Sequence, residues 1–177
     1  MKIIATIGSG LLGLSIATAA LAAGDGNSSS TPTEAACKKK GMVLDTDKKK
    51  CVEAERGLFT DEVLYINARA MAYDGQYNDA IRLLSLVQTK DDPRVLNYLG
   101  FSHRKLGDLQ TALTYYQQAL QIDPDYILAR SYMGQGFVAD GNMDGARQQL
   151  SEIRTRDGET SWAYVMLENA IETRVTY

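Results

Sequence analysis

Three groups of side chains in this sequence have the types and spacing to do chemistry: a pair of cysteines, two lysine triplets and a lone histidine. Cys37 and Cys51 are the chain's two cysteines. In an exported chain they predict one disulfide that closes a short loop. With no histidine or second cysteine pair beside them, they cannot complete a tetrahedral metal shell. Between and around them stand Lys38, Lys39, Lys40, Lys48, Lys49 and Lys50, opposed by Asp45 and Asp47. This local excess of positive charge suits either a solvated face or a docking patch for an anionic envelope polymer, a membrane surface or an acidic protein face. The segment has no arginine or aromatic residue for stacking, so nucleic acid is not an expected partner. His103, the only histidine, stands at an apolar position and is expected to be a satisfied core residue. No G-x-S-x-G, phosphate-binding loop or H-E-x-x-H motif occurs. Asp91-Asp92 and the Asp123/Asp125 pair flank turns, where acidic residues start helices. The expectation is a protein with no catalytic residue, no metal and no cofactor.

These groups sit in a chain of 177 residues, 45% hydrophobic, with a formal charge of −3. Lys2 and an apolar stretch from Ile3 to about Ala22 end in Ala20-Leu21-Ala22-Ala23, an A-x-A-like cleavage site. Residues 1–23 are therefore expected to be a secretory signal peptide, bacterial in style, which would place the mature chain in the periplasm. The alternative is an uncleaved signal that anchors the chain to the inner membrane. Residues 24–36 are polar and small, as in a flexible linker. Residues 37–57 hold the Lys-rich disulfide hairpin and a connector, with Met42-Val43-Leu44 as a strand and Asp45-Thr46-Asp47 as the turn.

Residues 58–177 are organised by a repeat. Leu96, Leu99-Gly100, Gly107, Ala112, Tyr116, Ala119 and Pro124 are followed 34 positions later by Arg130, Met133-Gly134, Gly141, Ala146, Leu150 and Ile153. An earlier unit carries Leu64, Ala68, Met71, Gly75, Ala80, Leu84 and Val87. Apolar spacings of three and four predict helices, and a period in this range marks stacked helical hairpins. Small residues at Ala68, Gly100 and Gly134 would let the first and second helix of a hairpin approach closely. Gly75, Gly107 and Gly141 suit a left-handed helix end, and Asp108 and Asn142 suit caps for the next helix.

On these residues the chain resembles the tetratricopeptide repeat family over repeats at about 61–92, 93–126 and 127–160. An amphipathic helix at 161–173 would then cap the stack, with Trp162 in its packing. The resemblance implies an all-α right-handed superhelix of three helical hairpins, preceded by the small disulfide-closed hairpin. It also implies that the first helix of each hairpin lines a concave groove that takes a peptide segment of a partner protein. Placed on that pattern, Tyr65, Arg69 and Tyr73 point inward from the first unit. Arg94, Asn97, Phe101, Arg104 and Lys105 do so from the second, and Ser131 and Gln135 from the third. This lining is aromatic and cationic, although residues 58–177 hold 11 Lys and Arg against 16 Asp and Glu. It suits a segment bearing an acidic or C-terminal carboxylate group. The expected function is a non-catalytic protein–protein interaction adaptor, or scaffold, of the bacterial cell envelope. The alternative has the lysine hairpin binding an anionic polymer or membrane surface, with the repeats as a spacer.

Overall fold

A computed structural model describes residues 31–177; the expected signal peptide and residues 24–30 of the expected linker lie outside the described residues. Thr33 starts the first element by accepting the Ala36 N–H on its hydroxyl at 3.1 Å, and α1 (Glu34–Lys38) follows. It begins inside the segment read as linker. Strands β1 (Val43–Asp45) and β2 (Lys50–Val52) then pair antiparallel, with Leu44 opposite Cys51. The turn between them lies one residue later than expected, because Asp45 belongs to the strand. Its carboxylate accepts the N–H groups of Asp47 and Lys48 and the Lys48 ammonium, so one side chain closes the loop. The Cys37–Cys51 disulfide ties α1 to β2.

Seven helices complete the chain: α2 (Asp61–Tyr73), α3 (Tyr77–Leu86), α4 (Pro93–Lys105), α5 (Leu109–Ile122), α6 (Ile127–Ala139), α7 (Met143–Asp157) and α8 (Trp162–Thr173). Three antiparallel pairs, α2/α3, α4/α5 and α6/α7, form the hairpins, and α8 packs on α6 and α7. The boundaries follow from local chemistry. Thr60, Asp92, Asp108, Asn142 and Ser161 each accept a backbone N–H from the first turn of the helix they precede. The first helix of each pair ends at a glycine with positive φ, namely Gly75 (80°), Gly107 (86°) and Gly141 (77°). A side chain is strained in that conformation. Among the described residues no helix is long and apolar enough to cross a membrane.

Two glycines mark the close approaches. A Cβ on Gly100 would stand 2.7 Å from the ring of Tyr116, across the α4/α5 pair. A Cβ on Gly134 would stand 2.5 Å from Leu167. The second contact differs from the expected one. Gly134 admits the capping helix α8, while the partner helix within its own hairpin is α7.

The lysine hairpin is docked on the array. Cys37 and Val43 are fully buried, and Val43 joins the same core as Leu64, Ala68 and Leu83. Gly41 lies against Asp79, the Arg82 guanidinium donates to the Gly41 carbonyl, and Lys38 pairs with Asp74 at 2.8 Å. The hairpin therefore covers the open end of α2 and α3, as α8 covers α6 and α7 at the other end. A stack of repeats needs both ends closed.

Replacing Gly100 by alanine is expected to lower stability by about 1–3 kcal/mol, since the buried Tyr116 ring cannot step aside. An open helical site would instead gain about 1 kcal/mol from the same change. Reducing the disulfide is expected to cost about 3 kcal/mol, the loop-closure value for a ring of this size. Denaturant midpoints measure both.

Candidate functional site

The first helices of the three pairs bring an unbroken run of aromatic rings along the inner face. Tyr65 and Tyr73 of α2 meet Tyr98 of α4 edge-on, with centroids 5.9 and 5.8 Å apart. Phe101 lies 6.1 Å from Tyr98 and 5.0 Å from Tyr132 of α6. Tyr132 meets Tyr177 at 6.0 Å, and Tyr177 meets Trp162 of α8 at 5.7 Å. Successive rings prefer these tilted and edge-on arrangements because the ring edge is positive and its face negative.

Hydroxyl groups tie the run together at its centre. The Tyr73 oxygen is 2.7 Å from the Tyr98 hydroxyl and 3.2 Å from that of Tyr132. The Arg69 Nε–H donates to the Tyr98 oxygen at 3.0 Å, and its guanidinium lies over the Tyr73 ring at 5.5 Å. Burial, then the hydrogen bond to Tyr73, pushes the Tyr98 and Tyr132 phenols up. Burial also raises Tyr73, but the hydrogen bonds from Tyr132, Tyr98 and Arg69 outweigh it and hold this phenol below the usual 10.0.

The ten residues expected to line the groove divide into two sets. Arg69, Tyr73 and Arg94 are exposed, and Tyr65 and Lys105 are half-buried. Arg94 sits over the Tyr65 ring at 4.6 Å and is already paired with Asp92 and Glu62. Arg69 has no carboxylate within salt-bridge distance among the described residues. Asn97, Phe101, Arg104, Ser131 and Gln135 are buried. Ser131 is used in packing, its hydroxyl donating to the Ala163 carbonyl at 2.9 Å. The Arg104 Nη2 donates to the main-chain carbonyl of Tyr177 at 2.9 Å. Both side-chain amide atoms of Asn97 and of Gln135 lack a hydrogen-bond partner, although each residue is fully buried.

Sequence reasoning passed over Tyr98, Tyr132 and Tyr177. Tyr98 and Tyr132 are 34 residues apart, so the repeat itself carried their signal. His103 is half-buried rather than in the core. Its ring stacks on Tyr115, and its Nδ1 faces the carboxylate of Asp108, the cap of α5, at 3.2 Å.

Of the six hairpin lysines, Lys38 and Lys48 are ion-paired, while Lys39, Lys40, Lys49 and Lys50 are exposed. An open cleft of about 410 Å³ lies between the hairpin and α2, lined in part by Leu44, Phe59, Val63 and Ile66. Among the described residues no cluster of His, Cys, Asp and Glu has the geometry of a metal site.

Residues 93–126 match the family model of the tetratricopeptide repeat. The three stacked hairpins are the fold of that family, and the chain carries a recognisable repeat of it in the middle pair, α4/α5. Solved structures with this fold include PcrH in complex with the chaperone binding region of PopB. That chain is 22% identical, with a TM-score of 0.55, and the match covers 68% of this chain and 100% of the other. PcrH in complex with the chaperone binding region of PopD gives 23% and 0.55, over 68% and 98%. PcrH from Pseudomonas aeruginosa gives 23% and 0.54, over 67% and 92%. No curated protein matches the sequence significantly.

The hydrogen-bonded triad has a spectroscopic consequence. Because the folded value of Tyr73 lies below the ordinary 10.0, its ionisation favours the folded state as pH rises through the window beneath that value. A phenolate absorbance titration is expected to show one tyrosine ionising below the others, and Tyr73→Phe is expected to remove that step. An unchanged titration in Tyr73→Phe would contradict the lowered value of Tyr73.

Proposed function

We propose that this protein is a non-catalytic interaction adaptor that holds a segment of a partner protein against its aromatic inner face. The observation that carries the reading is Arg69. It is exposed, held in place by Tyr98 and Tyr73, and free of any carboxylate partner among the described residues. A guanidinium has five N–H donors, and the hydroxyls of Tyr98 and Tyr73 do not use them all. The others are presented beside a stacking surface, which suits an extended segment that carries a carboxylate. The similarity to PcrH, solved with chaperone binding regions of PopB and PopD, supports a peptide as the class of ligand.

The signal-like N-terminus and the disulfide favour an exported, periplasmic setting, so the partner is a protein of the cell envelope. The alternative role of the hairpin as the binding element, with the repeats as spacer, fits less well. The hairpin is packed into the end of the array and two of its six lysines are already paired.

The test is a photocrosslinker at Lys105, which is half-buried on the inner face at the end of α4, in the full exported chain. It is expected to capture one envelope protein through a single mapped segment. Arg69→Glu is expected to reduce that capture about tenfold or more, in line with loss of a charged hydrogen-bonded pair. Replacing Lys39, Lys40, Lys49 and Lys50 together by glutamine is expected to leave it unchanged. Capture that survives Arg69→Glu but is lost with the four lysines would overturn the groove reading.

A further inference from the structure

The far end of the inner face is already filled by the chain itself. Helix α8 closes at Arg174, whose φ of 62° is left-handed, and the Arg174 N–H donates to the Ala170 carbonyl at 3.0 Å. The Val175 N–H donates to the Thr173 hydroxyl at 3.3 Å. These two bonds reverse the chain and carry Tyr177 back onto the array. Its ring wedges between Tyr132 and Trp162, Arg104 holds its carbonyl, and its buried hydroxyl faces Gln135 and Ser131. Three of these contacts fall on residues that the repeat pattern assigns to ligand binding.

Resting on the peptide-binding reading above, we propose that the pocket between Tyr132, Trp162 and Arg104 is a subsite for an aromatic side chain of the partner. Residues 174–177 occupy it in the free protein as an intramolecular competitor. The seated Tyr177 shows the chemistry the pocket accepts: a ring between two rings and a main-chain oxygen on a buried guanidinium, with a polar tip that faces amide and hydroxyl groups without bonding them.

Two further observations support displacement over permanent closure. The tail leaves the pocket incompletely satisfied. The Tyr177 hydroxyl itself, the Gln135 amide, the Arg104 Nε–H and the Tyr116 hydroxyl have no hydrogen-bond partner of normal geometry with Tyr177 in place. Buried polar groups are ordinarily paired, so a ligand that supplies those partners binds better than the tail does. The tail is also lightly held. Val175 is 71% exposed, Trp162 is 53% exposed, and a non-glycine residue in the left-handed region strains the reversal. The pocket thus has a lid of its own sequence that a better-fitting aromatic segment can replace.

The experiment uses the full chain and a fluorescein-labelled peptide, Glu-Thr-Arg-Val-Thr-Tyr, which copies residues 172–177, in an anisotropy titration. A tail joined by a short tether competes at an effective concentration of about millimolar. Tyr177→Ala is therefore expected to bind the peptide about tenfold or more tightly than wild type does. The same peptide with its tyrosine replaced by alanine is expected not to bind, and Arg104→Gln in the Tyr177→Ala background is expected to weaken binding. Trp162, the chain's one tryptophan, reports the same event through its emission. Tyr177→Phe keeps the ring and is expected to stay closed like wild type, and circular dichroism melts confirm that each variant is folded. Equal binding by wild type and Tyr177→Ala would overturn the competition. Binding that ignores the peptide's tyrosine, or Tyr177→Phe behaving like Tyr177→Ala, would overturn the aromatic subsite. The envelope partner is read separately: its crosslinked capture is expected to rise in Tyr177→Ala. Loss of all capture from wild type and variant alike, with the peptide titration as expected, would remove the adaptor reading and leave the tail contact standing.

Discussion

The contact between Gly100 and the ring of Tyr116 is the constraint on which the inner face depends. With no Cβ at residue 100, α4 settles directly on a fully buried tyrosine. That ring lies 6.5 Å from Tyr132 of the next hairpin. The depth of one helix pair thus sets the position of the next, and Phe101, beside Gly100 in sequence, is brought within 5.0 Å of Tyr132. The aromatic run is a by-product of stacking: each ring is placed by the backbone spacing of its own hairpin. Interiors pack too tightly for such a contact to loosen without moving its neighbours.

Charge is arranged differently from what the net balance suggests. The array is acidic, yet its carboxylates are largely spent on structure. Asp61 accepts two backbone N–H groups and a hydroxyl from Gln88 and Thr89, which ties the start of α2 to the turn after α3. Asp92 caps α4 and holds Arg94, and Asp108 caps α5 and meets His103. Arg130, in the large apolar slot of its repeat, donates to the Pro124 carbonyl and to Gln149, bracing the turn between hairpins. Of the inner-face cations, Arg94 and Arg104 are engaged, while Arg69 and Lys105 have no carboxylate within salt-bridge distance among the described residues. An acidic chain can therefore offer a cationic surface, because what counts is which charges remain unpaired at the face, not their sum.

Much of this was legible in the residues, and the limits have physical causes. Helix existence, order and ends were readable because caps, glycines and a 34-residue repeat all act within a turn or two of their own position. Asp108, Asn142 and Ser161 cap where their local chemistry says they should. Burial inside the groove was not readable. Asn97, Gln135 and Arg104 sit at positions that face inward, but whether such a position is open depends on what lies across it, here partly a tail from 73 residues further along in the case of Arg104. The docking of the lysine hairpin was hidden for the same reason. Its triplets look solvated in sequence, while the residues that anchor it, Gly41, Val43 and Lys38, make their contacts with Asp74, Asp79 and the α2/α3 core. The partner of Gly134 was misassigned because position in the repeat defines the small residue but not which helix exploits it.

Both ends of the stack pose the same physical problem, and the chain solves it in two ways. A terminal hairpin exposes an apolar flank that an interior hairpin would bury against its neighbour. At the first hairpin the cover is covalently closed: the disulfide limits the motion of the small sheet, and Lys38, Arg82 and Gly41 fasten it. At the last hairpin the cover is α8, sunk against Gly134, and its first residue, Trp162, reaches the inner face together with the residues that follow the helix. A rigid cover can sit over a surface that has no other use. The surface near Tyr132 carries unpaired amide and hydroxyl groups, and there the cover is a short turn held by one guanidinium and two ring contacts. The difference in fastening follows the difference in what lies beneath.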